Sequence, residues 1–539
     1  MIQLLLSVLF VLATMPAFAD DPAPVASFTG RLAADGHRAH AVDLAPGDFV
    51  QGRLIGAGMR LVLRDADGAP VRTLSQGRRD VADFMFVADA AGPYRLDVQA
   101  ARSGDYRVEI FQRVPVEVQV GPAQLPQSPR LRAMLQAGEG TEAFWREVAA
   151  TGAPLVETAG VTPPLGAHER LVTFLWRGAK REVRLFGAPA ADHERLQRLA
   201  GTDIWYRSYR LPDSTRLAYR LAPDVPDLDA PPSLRRRAIL ATAQRDPFNP
   251  RSLPEQPVDR FDGESLLELP AAPTAQWTVA DPAVAAGSLD TQRLASAILG
   301  NTRDIHLYRP PGWQSGAADN ALVVIFDGER YIREVPTPTI LDNLIAAGRL
   351  PSTAAILIAN PSGEARAAEL PPNPDFARFL AEELMPWARA RGVHAPAERT
   401  VVAGASYGGL AAAWAGLNHP EWFGKVYSQS GSFWWAPGWA SAGPFEHQGE
   451  WLTRQFATGE RLALEFQLEA GLFESGPDGL VGIRDATRHL RDVLRAKGYR
   501  VGHREYAAGH GYEHWRVSLA EGLVALIGRP AVGGAHAHP

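Results

Sequence analysis

Two patterns of apolar and polar residues follow one another along the chain. Up to about residue 245, short segments alternate in side-chain character and are separated by glycine, proline and aspartate, as half-buried strands are. From about Thr278, continuously apolar segments such as 321–326 alternate with longer segments of helical character. The first pattern predicts β domains, and the second predicts one α/β domain on a mostly parallel sheet with helices on both faces.

The β part is predicted to form two sandwich-like domains. The first is an accessory domain at residues 22–120, and its predicted strands are 49–54, 59–64, 92–98 and 104–110. The second covers residues 140–245, and its predicted strands are 170–176, 181–187, 204–211 and 215–221. Residues 246–275 are rich in proline and acidic side chains, so we expect a linker there.

The α/β domain is predicted at residues 276–528, and residues 529–539 are expected to be a flexible tail. Its predicted strands are 304–309, 321–326, 354–359, 400–403, 426–429, 462–469 and 502–506. Its predicted helices are 338–347, 375–391, 409–418, 484–497 and 515–526.

The first twenty residues, MIQLLLSVLFVLATMPAFAD, resemble a secretory signal peptide. Their apolar core is too short to cross a bilayer and precedes an Ala17-Phe18-Ala19 cleavage pattern, so we expect removal of residues 1–19. No later segment is predicted to span a membrane. An exported protein is therefore expected, located in the periplasm or secreted.

Composition and charge exclude several function classes. The 539 residues include no cysteine, which excludes cysteine nucleophiles and thiolate metal sites. A net charge of −5 gives no basic surface for nucleic acid. The histidines suggest no metal site, and the oligomeric state is not indicated.

The segment Gly404-x-Ser406-x-Gly408 matches a nucleophile elbow. A bare motif of this kind is weak, but here a predicted strand precedes it and a predicted small-residue helix follows it. The elbow needs residues almost without side chains two positions before and after the serine, because its backbone turns sharply. We therefore predict that Ser406 is a nucleophile and that the domain has an α/β-hydrolase fold.

A serine nucleophile needs a base and an acid, which follow it in this chain order. His510 lies in a glycine-rich loop after the last predicted strand, whereas the competing His514 falls near a helix start. For the acid we predict Glu474, in the loop after the strand 462–469, with Asp478 as the alternative.

The oxyanion of the reaction intermediate needs preset hydrogen-bond donors. One predicted donor is the backbone N–H of Tyr407, directly after the nucleophile. The other is expected from the loop after the strand 321–326, where the N–H of Gly328 or of Glu329 is the candidate.

Several separated segments of the α/β domain resemble the enterochelin (enterobactin) esterases, in the esterase-D-like branch of the α/β hydrolases. These segments are "VVIFDGERY", "AELPPNPDFARFLAEELMPW", "VVAGASYGGL", "HPEWFGKVYSQSGSFWW", "LEAGLFE" and "AGHGYEHW". The earlier segments "FWREV", "VTFLWRG", "DIWYRSYRLPDSTRLAYRL" and "DPFNP" resemble the N-terminal domain of the same esterases. The resemblance covers roughly residues 140–528 and does not include the first predicted sandwich.

The resemblance implies hydrolysis of the ester bonds that join 2,3-dihydroxybenzoylserine units in a cyclic trilactone, as in ferric enterobactin. It gives the triad roles to Ser406, Glu474 and His510, and it places Arg366 against the anionic substrate. No cofactor is implied, since iron would arrive as part of the substrate.

A ferric tris-catecholate is a large anionic aromatic body that favours cations and flat apolar surfaces. Arg330 and Arg333 lie just beyond a predicted strand, and Trp434 and Trp435 offer aromatic area, so all four are candidate substrate contacts. The alternative is that the tryptophans pack in the core and the arginines form surface ion pairs.

Other functions fit parts of the pattern. An exported carboxylesterase acting on feruloyl or acetyl esters of polysaccharides is the alternative enzyme, and an acyltransferase is a third. A siderophore-binding protein with a relict elbow is disfavoured, because the predicted serine, histidine and oxyanion loop are all intact.

Overall fold

The structure is a computed structural model that describes residues 23–77, 80–115, 125–190, 193–229, 234, 237–438, 449–476 and 481–529. It divides into two compact units, one ending at residue 125 and the other beginning at residue 126. The predicted signal peptide and nearly all of the predicted tail lie outside the described residues. In the described part of the chain, we find no helix with both the length and the apolarity needed to cross a membrane.

The first unit contains two four-stranded antiparallel sheets with the orders β1-β8-β3-β6 and β2-β7-β4-β5. Its strands are β1 (Ala26–Leu32), β2 (His37–Leu44), β3 (Phe49–Ile55), β4 (Met59–Arg64), β5 (Pro70–Gln76), β6 (Val81–Val87), β7 (Gly92–Ala100) and β8 (Gly104–Val114). Alternate side chains of both sheets, such as Val50 and Leu96, meet in one hydrophobic core.

The second unit begins with two helices and two further four-stranded sheets, with the orders β12-β13-β10-β9 and β11-β14-β16-β15. Its first elements are α1 (Pro129–Ala137), α2 (Glu142–Thr151), β9 (Leu155–Glu157), β10 (Glu169–Arg177), β11 (Val183–Gly187), β12 (Gln197–Arg198), β13 (Ile204–Pro212), β14 (Arg216–Pro223), β15 (Ser252–Leu253) and β16 (Glu264–Glu268). The two sheets share a core that includes Phe174 and Tyr219. We call these two sheets, formed by β9 to β16, the N-terminal sheets.

The linker predicted at residues 246–275 is wrong. Strand β16 lies inside that range and pairs with β14, so the segment completes a sheet. Buried Asp246 accepts a hydrogen bond from the Tyr219 hydroxyl at 2.8 Å, and its N–H donates to the Ser265 hydroxyl. The proline and acidic content suggested an exposed connection, but these polar groups make hydrogen bonds within the sheet.

The remaining chain forms one mixed sheet of eight strands in the order β17-β18-β20-β19-β21-β22-β23-β24, parallel from β20 to β24. These strands are β17 (Ser288–Ser296), β18 (Asn301–Arg309), β19 (Ala321–Ile325), β20 (Thr353–Ile358), β21 (Thr400–Ala405), β22 (Lys425–Gln429), β23 (Glu465–Gly471) and β24 (Arg500–Tyr506). The central strand β19 is buried along its whole length, which explains its continuously apolar sequence.

Helices cover both faces of this sheet. They are α3 (Arg330–Arg333), α4 (Thr337–Ala346), α5 (Gly363–Glu369), α6 (Pro374–Arg378), α7 (Met385–Ala390), α8 (Tyr407–Asn418), α9 (Trp451–Thr458), α10 (Ile483–Ala496) and α11 (Tyr512–Ile527). A π-helical segment, Phe379–Leu384, joins α6 to α7. One core contains side chains of α6 to α10, and the core on the opposite face contains those of α4 and α11.

Candidate active site

The predicted site residues lie at one edge of the eight-stranded sheet. Ser406 follows β21, Glu474 follows β23 and His510 follows β24, and these three strands are parallel. The carboxyl ends of parallel strands lie at the same edge of a sheet, where the sites of open α/β sheets are built. The topology therefore places three residues that are distant in the sequence at the same edge of the sheet.

Ser406 occupies a strained turn between β21 and α8. Its φ of 59° and ψ of −122° place it in a region that side-chain-bearing residues rarely adopt. A Cβ atom at position 404 would lie 2.7 Å from the carbonyl carbon of Gly408, so the turn has no room for a larger residue there. The Ser406 N–H donates to the Gln429 carbonyl at 3.0 Å, which ties the turn to the neighbouring strand.

His510 and Glu474 form a direct hydrogen bond, with 2.6 Å between Nδ1 and Oε1. The Glu474 side chain is 2% exposed, and its other oxygen accepts the Gly471 N–H at 2.6 Å. The His510 side chain is 39% exposed. A buried carboxylate thus orients an accessible imidazole, which is the arrangement that a general base requires. The alternative acid, Asp478, lies outside the described residues.

Contacts of Trp515 connect the histidine loop to the nucleophile side of the sheet edge. Its ring packs edge-on against the His510 ring, with 4.9 Å between centroids. Its indole N–H donates to the Ser430 hydroxyl at 3.1 Å, and Ser430 directly follows β22, the strand next to β21. The N–H of Ser432 in the same loop donates to the Ser406 carbonyl.

The two predicted oxyanion donors of the β19 loop differ in availability. The Gly328 N–H donates to the Ile358 carbonyl at 2.8 Å, so its assignment as an oxyanion donor is wrong. Within the described residues, we find no acceptor for the Glu329 N–H. The Tyr407 N–H lies in the first turn of α8, where amides lack intrahelical partners. Tyr407 and Glu329 are therefore the remaining candidates.

Arg366 holds the β19 loop together. Its guanidinium donates two hydrogen bonds to Asp327, at 2.6 and 2.8 Å, and Asn360 donates a third. Asp327 is buried and has a φ of 55°, so its charge needs a partner. Burial opposes the charged form of Arg366, but the bonds to Asp327 outweigh it and raise the arginine pKa. The described ion pair of Arg366 is therefore internal, and its contact with substrate stays a prediction.

The other two predicted arginines are exposed. Arg330 forms an ion pair with Glu334, and its guanidinium lies 5.6 Å from the Tyr512 ring centroid. Arg333 lies at the end of the same short helix α3. Neither lines the cavity beside His510 described below.

The adjacent tryptophans Trp434 and Trp435 have different surroundings. Trp434 is half-buried, lies 6.3 Å from the Tyr407 ring and lines a cavity beside His510. Trp435 packs edge-on against Trp451 at 6.2 Å, in a cluster that also includes Trp414. Both side chains are half-buried, but only Trp434 is among the described residues that line the cavity, whereas the described contacts of Trp435 are with other aromatic side chains.

The cavity beside His510 has a volume of about 540 Å³ and is partly lined by the N-terminal sheets. Phe186, Ala188 and Glu264 line it from the sheets, opposite Glu474 and His510. No sequence motif pointed to these sheet residues, because they meet the histidine loop only in the folded chain. A backbone hydrogen bond of 3.0 Å from the Arg216 N–H to the Ala507 carbonyl also joins the two regions.

A second histidine–glutamate pair, His514 and Glu469, is buried in the protein. Glu469 is fully buried and accepts hydrogen bonds from Tyr427, Ser518 and Gln429, and His514 approaches it at 3.7 Å. Burial raises the pKa of Glu469 to about 7. Burial also lowers the pKa of His514 to about 3, so this imidazole stays neutral.

Comparisons with known proteins agree with this architecture. Residues 296–526 match a family described as putative esterase, and residues 171–278 match the enterochelin esterase N-terminal family. The iron(III) enterobactin esterase of Dickeya dadantii is 33% identical over 73% of this chain and 94% of its own length. The iron(III) salmochelin esterase of Escherichia coli is 30% identical over 74% of this chain and 97% of its own length.

A solved structure extends the similarity to three dimensions. The enterobactin esterase of Shigella flexneri, crystallised in the presence of enterobactin, is 30% identical with a TM-score of 0.55. The similarity covers 72% of this chain and 98% of the Shigella flexneri chain. The fold, the esterase match and these relatives define a carboxylic ester hydrolase. Within that class, the chain belongs to the enterobactin (enterochelin) esterase family, as the sequence resemblance predicted.

Proposed function

We propose that the protein hydrolyses the trilactone ester bonds of a catecholate siderophore such as enterobactin and so aids iron release. The observation that supports this most directly is the His510–Glu474 hydrogen bond of 2.6 Å at the sheet edge where Ser406 occupies its strained turn. The printed activities of the relatives supply the substrate class.

In the proposed mechanism, the Ser406 hydroxyl attacks the ester carbonyl while His510 accepts its proton. Glu474 stabilises the imidazolium that forms, and the N–H groups of Tyr407 and Glu329 donate to the oxyanion. His510 then gives the proton to the leaving alcohol, which leaves an acyl group on Ser406. Water attacks this acyl-enzyme with His510 again as the base, and the free acid departs.

We further propose that each pair of four-stranded sheets is a β-sandwich and that residues 276–528 are the α/β-hydrolase catalytic domain. Removal of residues 1–19 would deliver the chain to the periplasm. No cofactor is needed for the proposed chemistry, because the residues named above supply every proton transfer.

The proposal is tested with the mature chain, metal-free and ferric enterobactin, and chromatography of the products. We expect linear dihydroxybenzoylserine fragments from the wild type. Ser406→Ala should lower kcat by about 10⁴-fold or more, since the nucleophile is lost. Ser288→Ala, an exposed serine on β17, is the matched control and should retain activity. Retained turnover in Ser406→Ala would show that another residue is the nucleophile.

The alternative enzyme, a carboxylesterase acting on feruloyl or acetyl esters of polysaccharides, is distinguished from the proposed one by its substrate. A feruloylated oligosaccharide offers an aryl ester without the trilactone, and we expect no feruloyl release under the same conditions. Feruloyl release without cleavage of enterobactin would overturn the proposed substrate while leaving the esterase assignment intact.

A further inference from the structure

Another cavity, which we call the α11 cavity, lies between the β24 edge of the eight-stranded sheet and the second half of α11. Its volume is about 550 Å³, within the range of small-molecule sites, about 300–1,000 Å³. Gln467 of β23 and Gly502 of β24 line it from the sheet, and Ala520 and Val524 line it from α11. None of its described lining residues also lines the cavity beside His510.

The α11 cavity is separate from the predicted catalytic residues. Trp515, which packs against His510, and Val524, which lines the cavity, are nine residues apart on α11. This spacing corresponds to about 13 Å along the helix axis. Gln467 lies in the first half of β23, whereas Glu474 follows the end of that strand. A ligand in the α11 cavity would therefore bind away from the triad.

Gln467 brings an unpaired amide to this cavity. The residue is 7% exposed, and its side-chain amide has no hydrogen-bond partner among the described residues. Gln467 pairs with Gly502 on the neighbouring strand, and a Cβ atom at position 502 would clash with the Gln467 Oε1 atom. Buried amides normally have partners for their donors and their acceptor, and here these groups remain available to an occupant.

The charged residues of the cavity leave one arginine without a counter-charge. Arg504 forms an ion pair with Glu521, whose carboxylate also accepts the Tyr506 hydroxyl at 2.7 Å. Arg349 follows α4, is exposed and lines the same cavity, and we find no ion pair or side-chain hydrogen bond for it in the described ranges of the chain. Its guanidinium can therefore bind a carboxylate through two parallel hydrogen bonds.

We infer that the α11 cavity binds a small N-acylated amino acid. Arg349 binds the carboxylate, and the Gln467 amide donates to the acyl carbonyl and accepts the N–H of the ligand amide. Trp277, Leu344 and Val524 supply apolar lining for the side chain of the amino acid. Such binding does not depend on the proposed esterase activity, because the occupant does not reach the triad.

The test is an NMR titration of the mature chain with two probes, N-acetyl-L-leucine and N-acetyl-L-leucinamide, of which the second lacks the carboxylate. We expect the wild type to bind acetyl-leucine with a Kd of about 1 mM, as the size of this ligand allows, and the leucinamide about tenfold more weakly. Arg349→Gln should weaken binding of acetyl-leucine about tenfold and remove the difference between the probes. Gln467→Leu should weaken both probes about fivefold, because each loses the same amide hydrogen bonds.

Two further variants complete the experiment. Ala525→Trp fills the cavity from an exposed position of its lining and should weaken both probes about tenfold. Arg293→Gln is the matched control for Arg349→Gln, because Arg293 is 80% exposed on β17 and does not line the cavity. It should leave both Kd values within about twofold of the wild type.

The binding data can overturn the inference in two ways. Wild-type Kd values above about 10 mM for acetyl-leucine, or equal values for the two probes, would show that the cavity does not bind this class of ligand. Affinities that stay unchanged in Arg349→Gln, Gln467→Leu and Ala525→Trp would show that the probes bind elsewhere on the protein.

Discussion

Two histidine–glutamate pairs lie four to five residues apart in the sequence, and they differ in how accessible the imidazole is. His510 is 39% exposed and bonded to Glu474 at 2.6 Å, whereas His514 is 2% exposed and stays 3.7 Å from Glu469. The first pair combines a buried acid with an accessible imidazole. The second is enclosed on all sides, and burial keeps both members uncharged near pH 6. Accessibility of the imidazole therefore distinguishes the two pairs more than residue type does.

Replacing each histidine in turn should give the largest difference in kcat. His510→Ala should lower kcat by about 10⁴-fold or more, because the general base is lost. His514→Gln should keep kcat within about fivefold, since it only replaces a neutral buried ring. Steady-state kinetics on enterobactin measure both. A folded His514→Gln variant as inactive as His510→Ala would contradict the assignment.

Replacing Glu474 should likewise lower kcat more than replacing Glu469. Glu474→Gln should lower kcat by about 10²- to 10⁴-fold, because the amide no longer stabilises the imidazolium. Glu469→Gln should change kcat by less than about tenfold, as its contacts reach the site only through packing. Comparable losses of kcat in the two variants, with circular dichroism unchanged, would show that Glu469 takes part in the chemistry.

The buried pair should appear in the pH dependence of stability. The raised pKa of Glu469, about 7, gives stability that is present below pH 4.5 and lost as the pH rises towards 7. The lowered pKa of His514, about 3, gives stability that is present above pH 6.5 and lost as the pH falls. Between pH 4.5 and 6.5 the two effects cancel in the wild type, because folded and unfolded pairs each hold one proton.

Single variants should separate these opposing effects. From pH 4.5 to 6.5, and relative to the wild type, Glu469→Gln should gain about 1.4 kcal/mol of unfolding free energy per pH unit, and His514→Gln should lose a similar amount. Urea unfolding at pH 4.5, 5.5 and 6.5 measures the slopes. Slopes that depart from the wild-type slope in the same direction in both variants would show that the groups are not buried in the stated protonation states.

The smallest expected effects concern the two tryptophans. Trp434→Leu should raise KM by about three- to tenfold with little change in stability, because Trp434 lines the cavity. Trp435→Leu should leave KM nearly unchanged and lower the melting temperature by a few degrees, because it loses packing against Trp451. A raised KM in Trp435→Leu together with a lowered melting temperature in Trp434→Leu would show that the two side chains have the opposite roles.

The sequence predicted the strand–turn–helix around Ser406, the histidine loop and the acid loop, because each has a strong local signal in glycine spacing and apolar segments. It did not predict β16, since its polar groups find partners only in the folded sheet. Nor did it predict the Arg366–Asp327 pair, which depends on a backbone turn with positive φ. The cavity wall from Phe186 to Glu264 likewise arises from tertiary contact alone.

The backbone hydrogen bond between Arg216 and Ala507 has a practical consequence for engineering. It anchors the end of β24, three residues before His510, to a strand that belongs to the N-terminal sheets. A shortened protein beginning near residue 276 would leave that carbonyl to solvent and lose one wall of the pocket. Minimal versions of this enzyme, and chimaeras that exchange its front half, should therefore keep residues 126–275 together with the hydrolytic part.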